Sequence, residues 1–90
     1  MLEGSIKVVN RLGLHARAAA QLVKLAAKFK SRIMLHRSDQ NAEANAKSML
    51  SVLALAASFN TTLTLRVEGS DETDAFRSVS ELFASGFGEN

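Results

Sequence analysis

The sequence has no cysteine, proline, tryptophan or tyrosine, and its only aromatic residues are five phenylalanines. The lack of cysteine excludes disulfide bonds, thiolate catalysis and thiolate metal sites. No run of about 18 apolar residues is present that could span a membrane. Residues 1–7 lack the basic start and apolar stretch of a secretory signal. We therefore expect a cytoplasmic protein that is not inserted into a membrane.

The length of 90 residues predicts one compact domain, spanning residues 1–90, with a modest hydrophobic core. Apolar residues make up 47% and charged residues 22%, which is ordinary for a globular chain. A domain of this size has little room for an enclosed active site with a cofactor. A shallow surface site without a cofactor is the better expectation.

The net charge of +2 is unevenly distributed along the chain. Residues 1–50 hold nine of the eleven Lys and Arg residues, whereas residues 51–90 hold six of the nine Asp and Glu residues. This asymmetry has two interpretations: two differently solvated faces, or a basic docking face for an acidic partner protein. A nucleic-acid partner is not expected, because the basic residues are not interleaved with aromatic ones.

Four segments are predicted to be β-strands, because their apolar and polar residues alternate or because they complete a hairpin. They are residues 5–10, 32–37, 42–45 and 61–68. The fourth shows the clearest alternation, with Leu63, Leu65 and Val67 on one side. A polar turn over residues 38–41 joins the second and third strands.

Three further segments are predicted to be helices. Residues 16–29 are rich in alanine and carry two stripes, an apolar one and a second one that should face solvent. The apolar stripe is Ala19, Leu22, Val23, Ala26 and Phe29, and the second is Arg17, Gln21, Lys24 and Lys28. Residues 48–57 form a second helix, and a third begins at Ser70 as its N-cap and ends at Gly86.

The element order βαββαβα predicts an α+β fold, a two-layer domain with helices on one face of a mostly antiparallel sheet. The apolar alternation in the strands supplies the sheet face that the helices cover. The opposite sheet face should be exposed, because its side chains are mixed in character. They are Lys7, Met34, His36, Thr62, Thr64 and Arg66.

His15 is the candidate reactive residue, because it follows a glycine turn at the predicted start of the first helix. The first N–H groups of a helix, here those of Ala16, Arg17 and Ala18, lack helical partners and form a cradle for phosphate. The Arg17 guanidinium can add a forked hydrogen bond to phosphate oxygens. The alternative is a capping or surface histidine beside a solvated arginine. We interpret His36 as a structural or surface residue, and no metal site is apparent.

Residues 10–20, Asn-Arg-Leu-Gly-Leu-His-Ala-Arg-Ala-Ala-Ala, closely resemble the active-site segment of the HPr family, the histidine-containing phosphocarriers of the bacterial phosphotransferase system. The resemblance continues through residues 43–53, which are similar to the family segment around a regulatory serine. Residues 71–74 and the tail at residues 86–89 are similar as well. The sequence departs from the family at Ala18, where proline is frequent, and at Ala46, where glycine is frequent.

The resemblance implies a phosphocarrier and not an enzyme. His15 would accept a phosphoryl group, as pros-phosphohistidine, from enzyme I charged by phosphoenolpyruvate, and would pass it to EIIA domains. Arg17 would stabilise the phosphoryl group. The implied fold is an open-faced βαββαβα sandwich with a four-stranded sheet. We expect a monomer, because no apolar heptad repeat is present.

Ser48 has two compatible interpretations. It is suited to be the N-cap of the second helix, and the resemblance implies regulatory phosphorylation by an HPr kinase/phosphorylase. The apolar residues of that helix belong either to the core or, as the resemblance implies, to a docking surface for enzyme I. The predicted docking residues are Gln21, Lys24, Lys28, Lys47, Met49, Leu50 and Leu53.

Two other functional classes compete with the carrier. One is a small hydrolase that uses His15 and Arg17, which is disfavoured because no general base or water-orienting carboxylate lies near them in sequence, although the fold could bring one close. The other is a nucleic-acid-binding module that uses the basic first half. Within the carrier class, the sequence does not separate a sugar-transport branch from a regulatory branch.

Overall fold

Three helices and four strands alternate in the order β1–α1–β2–β3–α2–β4–α3 in a computed structural model that describes residues 1–89. Asn90, which the predicted domain includes, lies outside the described residues. The strands are β1 (Leu2–Lys7), β2 (Arg32–Arg37), β3 (Ala42–Asn45) and β4 (Thr62–Glu68). The helices are α1 (Ala16–Ala26), α2 (Met49–Ala54) and α3 (Glu72–Ala84).

The four strands form one sheet in the order β1–β4–β2–β3, and every neighbouring pair is antiparallel. The alternation in β4 sets the register, because Leu63 lies opposite Ile6, Leu65 opposite Leu35 and Val67 opposite Ile33. These side chains are all buried. The predicted α+β open-faced sandwich, with its βαββαβα order, is confirmed.

All three helices cover the apolar face of the sheet. Helix α3 packs on β1 and β4, whereas α1 contacts both α2 and α3. The buried helix residues Leu22, Val52 and Phe83 join the strand residues in one core. On the opposite sheet face Arg66 pairs with Glu3 and Glu43, at 2.9 and 3.6 Å.

Some predicted element boundaries were wrong. Strand β1 lies three residues earlier than predicted, and α1 ends at Ala26 instead of residue 29. Helix α2 ends at Ala54 and does not reach residue 57, because Ala56 takes a left-handed conformation with φ of 52°. Helices do not continue through such a residue.

The predicted N-cap of α3 was also wrong, because Asp71 and not Ser70 holds that position. The Asp71 carboxylate does not cap the helix. It accepts hydrogen bonds from the backbone N–H groups of Lys30 and Ser31, both at 2.9 Å, and from the Ser31 hydroxyl. These bonds lower the pKa of Asp71, the Ser31 hydroxyl being the largest cause. The carboxylate thus joins the start of α3 to the loop before β2.

None of the helices in residues 1–89 combines the length and the apolar character needed to cross a membrane.

Candidate functional site

The loop before α1 is held against the loop between α2 and β4. The Leu14 N–H donates to the Ala57 carbonyl at 2.9 Å. Gly13 permits this approach, because its φ is +70° and a Cβ there would lie 2.7 Å from the same carbonyl oxygen. This contact fixes the backbone on which His15 is mounted.

His15 is the N-cap residue of α1, and its side chain takes part in the cap. Its Nδ1 accepts a hydrogen bond from the Arg17 N–H, with 3.3 Å between the two nitrogens. This bond satisfies one of the donors that a helix start leaves unpaired. The capping interpretation from the sequence therefore describes this structure, and the same geometry places Nδ1 at the N-terminus of the helix, where anions are favoured.

The opposite ring nitrogen of His15 faces a carboxylate. Nε2 contacts Oε2 of Glu89, which is 74 residues away in sequence. A carboxylate only accepts hydrogen bonds, so Nε2 carries the proton, and Nδ1 must be unprotonated to accept from Arg17. Both contacts select the same neutral tautomer, with a lone pair on Nδ1.

The C-terminal segment brings Glu89 to this position. After α3 the chain turns at Gly86–Gly88, and the Phe87 ring enters the core with only 3% of its surface exposed. It packs edge-to-face on Phe83, with 5.0 Å between the ring centroids. Phe87 has a φ of 56°, a strained value for a bulky residue, so tertiary packing must hold it there.

Asn10 holds the Glu89 carboxylate from the other side. The Asn10 side chain is fully buried, and its Nδ2 donates to the Gly13 carbonyl at 2.8 Å and to Oε1 of Glu89 at 3.0 Å. The pKa of Glu89 is lowered, first by the Asn10 hydrogen bond and then by the hydrogen bond and charge of His15 and the charge of Arg17. Glu89 is consequently an ionised acceptor at neutral pH.

The predicted phosphate cradle is only partly accessible. Ala16 and Arg17 are exposed, whereas Ala18 has no accessible surface. The Arg17 N–H is engaged with Nδ1 of His15 in this structure. A group bonded to Nδ1 would displace that hydrogen bond and free the N–H for one of its own oxygens.

The apolar residues of α2 divide between core and surface. Val52 is buried and anchors the helix, and Met49 is half-buried against the core. Leu50 is 81% exposed and Leu53 is 37% exposed. Leu12, in the loop before His15, is 73% exposed. The apolar residues of this helix are therefore neither all core nor all surface.

The second stripe of α1 and Lys47 do not share one environment either. Arg17, Lys24 and Lys28 are exposed and make no ion pair within residues 1–89. Gln21 differs from the expectation of a solvent-facing residue, because it is half-buried and donates to the Phe87 carbonyl at 3.2 Å. Lys47 donates from Nζ to the Phe29 carbonyl at 2.7 Å.

Ser48 is the N-cap of α2, and its hydroxyl oxygen accepts from the Ser51 N–H at 3.3 Å. Its side chain is half-buried beside the exposed Leu50. His36 lies on the outer sheet face, opposite Thr64 on one strand and Glu43 on the other. Within residues 1–89 no three potential metal ligands of the His, Cys, Asp or Glu types cluster.

The sequence interpretation assigned no role to Asn10 or Glu89, the two residues that hold His15. The sequence contains one indication of their importance, which is that they lie in segments 10–20 and 86–89, both similar to the family. No carboxylate lies near His15 in the sequence, but the fold brings the Glu89 carboxylate into contact with its ring.

The chain is similar to known proteins along almost its whole length. A family model described as "PTS HPr component phosphorylation site" matches residues 2–85. The chain is 47% identical over 90 residues to the phosphocarrier protein HPr of Xylella fastidiosa strain Temecula1, covering 100% of this chain and 99% of that protein.

Solved structures show the same similarity. The crystal structure of an HPr from Thermoanaerobacter tengcongensis superposes with a TM-score of 0.93 at 39% identity, over 100% of this chain and 99% of the other. A second crystal structure from that organism, described as an HPr dimer, gives a TM-score of 0.77 at 39% identity, over 99% and 100% of the two chains.

Proposed function

The chain belongs to the HPr family, the phosphocarrier proteins of the phosphotransferase system, and on that premise we propose that its His15 accepts a phosphoryl group from enzyme I and passes it to EIIA domains. Phosphoenolpyruvate is the proposed source of the group. Residues 1–90 act as one carrier domain in the cytoplasm, monomeric when free, and transfer the group without catalysing turnover of their own.

The position of Nδ1 of His15 is the observation that carries this proposal. The nitrogen lies at the N-terminus of α1, 3.3 Å from the Arg17 nitrogen, and the contact of Nε2 with Glu89 leaves the lone pair on Nδ1. A nucleophile is thus set where backbone N–H groups and the helix dipole favour a developing phosphoryl charge.

The proposed step forms a bond between Nδ1 and phosphorus while the bond from phosphorus to the donor atom of enzyme I breaks. The electron pair of the broken bond stays on that donor atom. The Arg17 N–H then turns from Nδ1 to a phosphoryl oxygen, which also accepts from the Ala16 N–H and the Arg17 guanidinium. Transfer to the next protein reverses these changes, with the electron pair returning to Nδ1.

The surface around His15 is proposed as the docking site for both partners. Leu12, Leu50 and Leu53 supply exposed apolar contact area, which interfaces bury at their centre. Arg17, Lys24 and Lys28 supply positive charges that form no ion pair with any other residue in 1–89, and such charges would steer an acidic partner. Met49 supports this surface from below, whereas Gln21 and Lys47 brace it through their backbone contacts.

Intact-mass spectrometry tests the proposed function. The protein is incubated with enzyme I and phosphoenolpyruvate, and we expect one added phosphoryl group that is lost in mild acid and stable in base. No addition with several active enzyme I proteins would refute the carrier function. Release of inorganic phosphate over many turnovers, with no recipient protein, would instead support the hydrolase alternative.

Ser48 is proposed as a regulatory site for an HPr kinase/phosphorylase. A phosphate there would add about two negative charges at the N-cap of α2, beside the exposed Leu50. Replacing Ser48 with aspartate is expected to slow phosphorylation of His15 by enzyme I about tenfold, because a new negative charge opposes docking of an acidic partner at a cost of about 1.4 kcal/mol.

Ser48→Asn is the matched control, because asparagine has the shape of aspartate and caps a helix equally well without a charge. Initial rates at several enzyme I concentrations separate weaker docking from slower chemistry. Equal rates for the two variants would show that charge at this position does not control docking.

A further inference from the structure

Three residues that are distant in sequence form one connected unit at the carrier site. Buried Asn10 donates to Oε1 of Glu89, and Oε2 of Glu89 contacts Nε2 of His15. The Glu89 carboxylate therefore uses both oxygens to join a rigid loop to the reactive ring. The contact lies on the ring nitrogen opposite the one that is phosphorylated in the proposed function.

The orientation of the Asn10 amide is dictated by its two partners. The Gly13 carbonyl and the Glu89 carboxylate are both acceptors, so the NH₂ group must face them. The buried Oδ1 is then left without a hydrogen-bond partner among residues 1–89. An unpaired buried acceptor costs folding free energy. The Asn10 side chain nevertheless keeps the orientation in which it binds the Glu89 carboxylate.

The anchoring of the tail supports the same conclusion. Phe87 adopts a left-handed conformation, and Gln21 binds its carbonyl at 3.2 Å. Such backbone strain persists only where the surrounding contacts hold the segment in place. These contacts hold the segment so that the Glu89 carboxylate lies at Nε2 of His15.

We propose that Glu89, held by Asn10, is a positioning residue that keeps the proton on Nε2 of His15 through the whole phosphoryl cycle. The proposal rests on the proposed carrier function and assigns the group that controls its chemistry. In the resting protein the proton on Nε2 reserves the lone pair of Nδ1 for attack on phosphorus.

In the phosphorylated protein the same proton makes the ring a cation. When the bond between Nδ1 and phosphorus breaks, its electron pair returns to Nδ1 and the ring leaves as neutral imidazole, with no proton transfer required. If Nε2 had lost its proton, the leaving group would be an imidazole anion, which is a far poorer one. The negative charge of Glu89 opposes that loss.

The charged groups that act on the Glu89 carboxylate are His15 and Arg17. The positive charge of Arg17 disfavours the cationic form of the His15 ring. In the proposed transfer, the Arg17 guanidinium also binds the phosphoryl group. Glu89 is the carboxylate that contacts the ring, so removing its charge should lower the pH at which the phosphorylated ring loses its proton.

The test compares Glu89→Gln with wild type in the rate at which the isolated phosphoprotein loses its phosphoryl group, measured by intact mass over a pH series. Glu89→Gln is still phosphorylated on His15, but its rate profile moves to lower pH by about one unit, because a charge-assisted hydrogen bond is replaced by a neutral one. Above both midpoints the variant loses the group about tenfold more slowly. Glu89→Asp restores part of the shift, and Asn10→Ala moves the profile in the same direction as Glu89→Gln.

Glu81→Gln removes the same charge from an exposed position on α3 and leaves the profile unchanged. Nitrogen-15 NMR of unphosphorylated protein gives a second readout, in which wild type shows the proton on Nε2 and Glu89→Gln shows a mixture of tautomers. A Glu89→Gln profile that superimposes on wild type, or an unchanged tautomer, would overturn the proposal. Failure of the wild type to accept a phosphoryl group would instead refute the carrier function. The two failures are distinguishable, because the tautomer measurement is made on unphosphorylated protein.

Discussion

Replacing His15 with alanine abolishes the acid-labile phosphoryl group that enzyme I and phosphoenolpyruvate add to the wild type. The reason is that Nδ1 of His15 is the proposed nucleophile, and alanine has no atom to replace it. Alanine also removes the helix cap on the Arg17 N–H, at a cost of about 1 kcal/mol in folding free energy. Intact-mass spectrometry measures the loss of the phosphoryl group, and thermal unfolding measures the loss of the cap.

His15→Asn separates these two effects. Asparagine is among the best N-cap residues, so this variant keeps the start of α1 while lacking the nucleophile. It should fold like wild type and remain unphosphorylated. His36→Ala, on the outer sheet face, should be phosphorylated normally. An acid-labile phosphoryl group on His15→Asn would show that a different residue is the acceptor.

Replacing Phe87 with alanine causes the largest expected loss of stability near the site. The ring is 3% exposed and packs on Phe83 at 5.0 Å, so its removal leaves a cavity and costs about 3 kcal/mol or more. In a domain of this size each kcal/mol lowers Tm by about 4–8 °C. We therefore expect Tm to fall by about 12–24 °C in thermal unfolding monitored by circular dichroism.

Phe59→Ala is the matched control, because that ring is 47% exposed and its loss should change the unfolding free energy by less than about 1 kcal/mol. Phe87→Leu fills part of the cavity and should lie between wild type and Phe87→Ala. Equal stability of Phe87→Ala and Phe59→Ala would mean that the C-terminal segment is not docked in solution, and that Glu89 is not held at His15.

Local patterns in the sequence were sufficient to predict most of the fold. The alternation of Leu63, Leu65 and Val67 determines which face of β4 is buried, and the periodicity of α1 determines which of its faces meets the core. The limits of α2 were not predictable in this way. Ala56 has a left-handed φ of 52°, although alanine strongly favours helices, so tertiary contacts override local preference there.

Asp71 shows the same limitation at a helix start. A negative charge at a helix N-terminus is favourable on local grounds, but the Asp71 carboxylate accepts its hydrogen bonds from the loop around Ser31, 40 residues away in sequence. A prediction that uses only neighbouring residues cannot identify a hydrogen-bond partner so far away in sequence.

For the candidate site, the sequence identified the residues around Nδ1 of His15 but not those around Nε2. His15, Arg17 and the helix start are adjacent in the chain, so their shared chemistry is visible as a motif. Glu89 lies 74 residues from His15 and 79 residues from Asn10 in sequence, and only the tertiary fold brings the three side chains together. Their role depends on tertiary structure, and no local pattern contains it.

The most direct test of the central claim is NMR of the phosphorylated protein with nitrogen-15 in its histidines, which identifies the atom bonded to phosphorus. We expect phosphorus–nitrogen coupling at Nδ1 of His15, with Nε2 still carrying its proton near neutral pH. Coupling at Nε2 of His15, at His36, or at no nitrogen would contradict it.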